Sequence, residues 1–155
     1  RESMSPGFKF NHWEVRGVPL RLELGPRDIQ EGHAMASPRN KPGREGKFTI
    51  PLEGIVQGVT ETLDRIQSEM FDAALDNREK NTFEVETYSE FCKLLPDQPG
   101  FYRVWWDGTA EDEARIQEET KATVRCLPLE QRQGSGRCFL TGRETSTTAI
   151  LARAY

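Results

Sequence analysis

From Pro51 to about Asn77 the apolar residues Leu52, Ile55, Val56, Val59, Leu63, Ile66, Met70, Phe71 and Ala74 recur at intervals of three and four. That spacing is the stripe of a long amphipathic α-helix, and no other feature of the chain limits its fold as much. Pro51 suits the opening turn, where its missing N–H would be unpaired anyway. Met70 and Phe71 read as core residues of this helix.

Ahead of it lies a stretch unusually dense in polar groups, Phe8 to Asp28. Residues 1–7 read as a loop punctuated by Ser3, Ser5, Pro6 and Gly7. Val18, Leu20, Leu22 and Leu24 alternate with Pro19, Arg21 and Glu23, which is a strand with one buried face, closed by Gly25-Pro26. A weaker strand covers His33 to Ser37. The basic, Pro/Gly-rich loop from Pro38 to Lys47 follows, and its plainest reading is a solvated hairpin tip.

After a break at Asn77 to Asn81 a second unit begins. Thr82 to Glu86 reads as a strand, and Thr87-x-x-Glu90 is a capping box opening a short helix through Leu95. Phe101 to Trp106 is a β-prone run, and Thr109-x-x-Asp112 caps an acidic helix ending near Thr120. Ala122 to Leu129 and Thr147 to Ala154 complete the strands. No internal repeat is present.

The 155 residues allow one medium domain or two small ones, with 30% charged and 35% hydrophobic residues. No apolar run reaches the roughly 18 residues of a membrane span, and the polar N-terminus predicts no signal peptide. Three widely spaced cysteines, Cys92, Cys126 and Cys138, suit a reducing compartment and a cytoplasmic location better than a disulfide framework. Cys92 reads as a small core hydrophobe and Cys126 as part of a strand facing a core. Net charge is −4, yet residues 1–47 carry nine Lys/Arg against six Asp/Glu. Residues 48–155 carry twelve against nineteen, an unevenness that fits a local phosphate-facing surface in the first third and equally an accident of small counts.

Catalysis finds no support in the residues. His12 and His33 stand apart from any nucleophile, and there is no P-loop and no Gly-x-Gly-x-x-Gly. Cys138-Phe-Leu-Thr141-Gly142 has the frame of a zinc knuckle with threonine in place of the second cysteine, a poor ligand. Nucleic-acid recognition does better. Phe10 or Trp13 can stack on a base, Glu14 can accept from guanine's Watson–Crick edge, and Arg21, Arg27 and Lys47 can serve guanine acceptors or phosphates. Each residue taken singly is better read as a rim aromatic over the core or a surface ion pair.

The stretches Lys9-Phe10-Asn11-His12-Trp13-Glu14, Gly17-Val18-Pro19-Leu20-Arg21 and Glu23-Leu24-Gly25-Pro26-Arg27-Asp28 resemble class II prolyl-tRNA synthetases of the archaeal/eukaryote-like type. The likeness continues in order through Glu118-Glu119-Thr120, Ala122-Thr123, Arg125-Cys126-Leu127-Pro128 and Ala152-Arg153-Ala154-Tyr155. It implies an α/β unit followed by an α+β unit. The first, residues 1–77, would be an incomplete class IIa anticodon-binding domain with a mixed sheet and a long amphipathic helix. The second, residues 78–155, would be a small C-terminal domain with a degenerate zinc knuckle.

The resemblance further implies that Phe10, Glu14, Arg21, Arg27, Asp28 and Lys47 face the guanines of the proline anticodon. Zinc-binding members place cysteines at the positions of Asp107, Asp112, Cys138 and Thr141, of which only Cys138 remains. The expectation is a knuckle without zinc, packed around Trp105 and Trp106. The catalytic core, with its ATP, magnesium and proline sites, and the opening elements of the anticodon domain would precede residue 1, covalently or as a separate chain. Tyr155 would support that active site. The complete enzyme would be a homodimeric, cytoplasmic proline–tRNA ligase acting on tRNA(Pro), with no membrane partner and no cofactor in this segment. The alternative is a non-catalytic, synthetase-derived RNA- or protein-binding module.

Overall fold

A computed structural model of the protein describes residues 4–153. Ala154 and Tyr155, for which a strand end and an active-site role were expected, lie outside the described residues. The chain divides into two units, residues 1–75 and 76–155.

The first described element of the first unit is helix α1, Pro6–Val15, which starts within the loop expected over residues 1–7. The punctuation of that loop is the helix start itself. Ser5 is the N-cap, its hydroxyl accepting from the Phe8 N–H at 3.3 Å, and Pro6 occupies the first turn. Strand β1, Leu20–Glu23, is followed by a short helix α2, Pro26–Gln30, which the Gly25-Pro26 break had concealed. Strands β2, His33–Pro38, and β3, Phe48–Pro51, complete an antiparallel sheet in the order β1-β2-β3. Leu22 lies opposite Ala36, and Ala34 opposite Ile50. The basic stretch 39–47 is the tip of the β2–β3 hairpin.

Pro51 ends β3 instead of starting the long helix. A turn through Gly54 (φ +72°) separates the two, and helix α3 runs Ile55–Lys80. It crosses the sheet closely at Gly58, where a Cβ would stand 2.7 Å from the Ile50 side chain. Only Thr62 and Ile66 of α3 are buried, while Val56, Leu63, Met70 and Phe71 are exposed, so the expected core role of Met70 and Phe71 does not hold. A 26-residue helix is about 39 Å long, and three strands of four to six residues cannot cover that stripe.

In the second unit, strand β4, Thr82–Glu84, helix α4, Tyr88–Leu94, and strand β5, Phe101–Trp105, form a parallel βαβ crossover. Helix α5, Ala110–Thr120, then leads into β6, Ala122–Cys126. The short pair β7, Gly136–Arg137, and β8, Glu144–Thr145, precedes β9, Thr148–Arg153. The mixed four-stranded sheet has the order β4-β5-β9-β6. Both predicted N-caps form. At α4 the reciprocal bond shifts by one residue, Glu90 accepting from the Glu86 N–H at 3.0 Å.

One face of this sheet meets the two helices. Tyr102, Val104, Leu151, Phe91 and Ile116 are at most 2% exposed there, and each such side chain contributes about 1.5–3 kcal/mol. The Tyr102 hydroxyl donates to the Gln98 carbonyl at 2.6 Å, so its burial leaves no orphan polar atom. Cys92 packs against this core, while Cys126 is exposed, contrary to the reading that it faces inward. The cause is a β-bulge. Val124 pairs with Leu151 and Cys126 with Ile150, so Arg125 is an extra residue that resets the alternation of β6 and turns Cys126 outward.

Candidate nucleic-acid interface

Residues two apart on a strand share a face, and residues four apart share one side of a helix. Arg21 and Glu23 therefore project together from β1, and Phe10 and Glu14 from α1. The Arg21 guanidinium lies 4.0 Å over the centre of the Phe10 ring and pairs with Glu14. Its other nitrogens donate to Glu23 at 3.0 and 3.3 Å, and Lys47 from the hairpin tip donates to the same Glu23 oxygen at 2.7 Å. Four of the six residues expected to face RNA, Phe10, Glu14, Arg21 and Lys47, are thus joined by one network.

Its centre is withdrawn from solvent and its ends are open. Arg21 and Glu23 side chains are 17% and 24% exposed, and Glu14 is 60% exposed. Burial alone would raise the Glu23 carboxyl, but hydrogen bonds from Lys47 and Arg21 outweigh it and hold its pKa below the ordinary range. Burial likewise works against the Arg21 cation, yet Glu14 and Glu23 raise its pKa further. Glu14 meets Arg21 through Oε1, which leaves Oε2 without a partner among the described residues.

The network forms one wall of a cleft of about 540 Å³ lined by Trp13, Glu14, Arg21, Arg39, Arg44 and Lys47, among others. Arg39 ties the hairpin tip to the α1–β1 turn, donating from Nη1 to the Gly17 carbonyl at 3.2 Å. Gly17 sits at φ +78°, a left-handed conformation that favours glycine there. Trp13 is half exposed beside the cleft, with the Arg16 guanidinium 5.3 Å from its ring centre. A ring, an open carboxylate and several cations around one concavity form a site able to stack a base, accept from its N–H edge and neutralise phosphate.

Arg27 and Asp28 stand apart from this network and do not line the cleft. Asp28 caps α2, accepting from the Gly25 N–H at 2.7 Å, and lies 3.5 Å from His33. Arg27, 87% exposed, pairs with Glu31 one helical turn on. Sequence reasoning passed over Glu23 as an ordinary strand residue. Its spacing of two from Arg21 was the available signal.

In the second unit, three of the four knuckle positions converge without a metal-ligand arrangement. Asp107 accepts from the Thr141 hydroxyl at 2.7 Å and from Arg143 Nε at 2.6 Å. Bonds from Thr141, the Cys138 thiol and Arg143 hold its carboxyl below the ordinary range. Asp112 is occupied elsewhere, capping α5 by accepting from the Thr109 N–H at 2.9 Å. The knuckle turn itself persists, the Gly142 N–H donating to the Cys138 carbonyl at 2.8 Å. A neutral hydroxyl, one thiol and a carboxylate already bonded to a guanidinium do not fit zinc. No group of three or more His, Cys, Asp or Glu suited to a metal occurs among the described residues.

Residues 1–62 match the family described as "Anticodon binding domain", and residues 88–155 the family described as "Prolyl-tRNA synthetase, C-terminal". Similar proteins include the proline–tRNA ligases of Roseiflexus sp. (strain RS-1) and Roseiflexus castenholzii (strain DSM 13941 / HLO8), each 49% identical over the whole chain. Proline–tRNA ligase 2 of Clostridioides difficile (strain 630) is 42% identical over the same span. The chain covers 32% of the length of each of these relatives. The match places the first unit in the anticodon-binding domain family. Together the two units belong to the anticodon-binding domain family and the C-terminal domain family of prolyl-tRNA synthetases.

Proposed function

We propose that this chain reads the anticodon of tRNA(Pro) within a proline–tRNA ligase. The complete enzyme activates proline with ATP and magnesium and transfers it to tRNA. The observation that carries the reading is the Glu14–Arg21–Glu23–Lys47 network over Phe10, set at the rim of the cleft. Glu14 accepts from the guanine N–H edge, Arg21 and Lys47 neutralise O6, N7 or phosphate, and Trp13 or Phe10 supplies the stacking face. Arg27 and Asp28 form a second, separate group, where Arg27 can meet the RNA backbone and Asp28 keeps α2 in place.

Catalysis belongs to the remaining two thirds of the relatives' length, joined covalently or as a separate chain, in a cytoplasmic homodimer. Assignment to the archaeal/eukaryote-like type rests on the C-terminal domain that follows the anticodon-binding domain, although the relatives matched are bacterial. That domain holds its knuckle without zinc, the Arg143–Asp107–Thr141 bonds closing the turn. One zinc per chain by elemental analysis, or a rise in melting temperature on adding zinc, would overturn this.

In the complete enzyme, Glu14→Ala should raise KM for tRNA(Pro) by roughly 5- to 150-fold, the equivalent of about 1–3 kcal/mol for one base contact. Proline-dependent pyrophosphate exchange without tRNA should be unchanged. Equal loss in both assays would mean that Glu14 holds the fold and does not read RNA.

A further inference from the structure

The sheet face of the second unit that points away from its helices carries no packed layer of its own among the described residues. Alternation sends Tyr102, Val104 and Leu151 to the core and Phe101, Arg103 and Ile150 to the other side, and the bulge adds Arg125 and Cys126 to that side. The result is a groove of about 780 Å³ lined by Phe101, Ile150 and Leu129 together with Arg78, Arg103, Arg125 and Arg132. Phe101 is 41% exposed and Leu129 fully so.

The charge of this face is opposite to that of its surroundings. Residues 76–155 hold eleven Lys/Arg against fourteen Asp/Glu. Glu111, Asp112, Glu113, Glu118 and Glu119 belong to α5, which packs on the other face. Of the four guanidiniums, Arg132 is paired, 3.2 Å from Glu84, and lies 5.4 Å from the centre of the Trp105 ring. Arg78, Arg103 and Arg125 have exposed side chains with no ion-pair or side-chain hydrogen-bond partner among the described residues. The other carboxylate at the groove is Glu130.

We propose that this sheet face is a second RNA-binding surface, taking a phosphodiester backbone on Arg78, Arg103 and Arg125 with a base or ribose against Phe101. Three unneutralised guanidiniums beside an exposed ring match a strand that offers one negative charge and one flat ring per nucleotide. A protein partner would have to bring a carboxylate to each guanidinium. The surface is built within the second unit, and its use does not depend on the cleft of the first.

The probe is a 5′-fluorescein-labelled 20-nucleotide oligouridylate, which contains no guanine, titrated by anisotropy into the intact chain at several salt concentrations. Arg103→Gln/Arg125→Gln should weaken binding and make the log K against log[salt] slope less negative by about 1.4, roughly 0.7 for each lost single-strand phosphate contact. Arg103→Lys/Arg125→Lys should keep the wild-type slope, and all three proteins should share one melting temperature, since these side chains are exposed. An unchanged slope in the Gln variant overturns the proposal. So does a variant that binds oligouridylate normally but no longer assembles with the rest of the enzyme, which would make this face a protein interface.

Discussion

Glu23 shows how a residue that need not touch a ligand can decide a site. It holds Arg21 and Lys47 by one oxygen at 3.0 and 2.7 Å, and without it two cations would stand side by side at the cleft. Its carboxyl lies below the ordinary value of 4.5 when folded, so its stabilisation is complete above that value and is lost as pH falls through the depressed one. The wild-type chain should therefore exceed Glu23→Gln in urea midpoint at pH 7, and the gap should close as pH falls below about 4.5. A constant gap would show that Glu23 contributes by packing alone. Residue types along Phe8 to Asp28 were enough to mark the candidate site, and the structure joins Phe10, Glu14 and Arg21 of that stretch in one network. That Asp28 turns back onto Gly25, and that Arg27 joins Glu31, depended on a five-residue helix opened by Pro26, a residue that reads equally well as a strand stop.

Helix starts were legible where a side chain supplied the cap and misread where proline had two meanings. Thr109 and Asp112 exchange bonds as their spacing predicts, and Thr87 caps α4. Pro6 instead began a helix where a loop was expected, and Pro51 finished a strand where a helix was expected. Proline's locked φ is compatible with both a first helical turn and an extended edge, so neighbouring contacts decide between them. Thr109→Ala removes an acceptor for the Asp112 N–H and should cost about 1 kcal/mol in chemical denaturation. Thr109→Ser should restore most of it. The bulge at Arg125 left no trace in the composition of β6, because only pairing with β9 shows which residue is extra.

At the scale of the molecule, burial is divided unequally. Among the described residues, four buried hydrophobics, Ala34, Ala36, Ile50 and Ile66, belong to the first unit, and thirteen to the second. Residues 76–155 produced alone should unfold in one cooperative transition, with coincident far-UV circular dichroism and tryptophan fluorescence. Residues 1–75 alone should bind a dye for exposed apolar surface and show no sharp transition, since Val15, Val56 and Phe71 are open to solvent. A sharp transition from residues 1–75 would show that the small core suffices. The split of the second half into strands and capped helices was readable from alternation and caps, and the shortfall in the first was not. An amphipathic stripe states which side of a helix is apolar and leaves open how much of it meets a partner.

The chain's three tryptophans are placed so that each half of the molecule carries its own optical signal. Trp106 is 8% exposed, and Trp105 lies against Gly136 so closely that a Cβ there would stand 2.2 Å from its indole nitrogen. Trp13, half open at the cleft, is the tryptophan of the first unit. A quencher dissolved in the buffer reaches Trp13 before the other two. Replacing Trp13 with phenylalanine isolates the second unit's emission, and the difference spectrum reports the cleft without an added label.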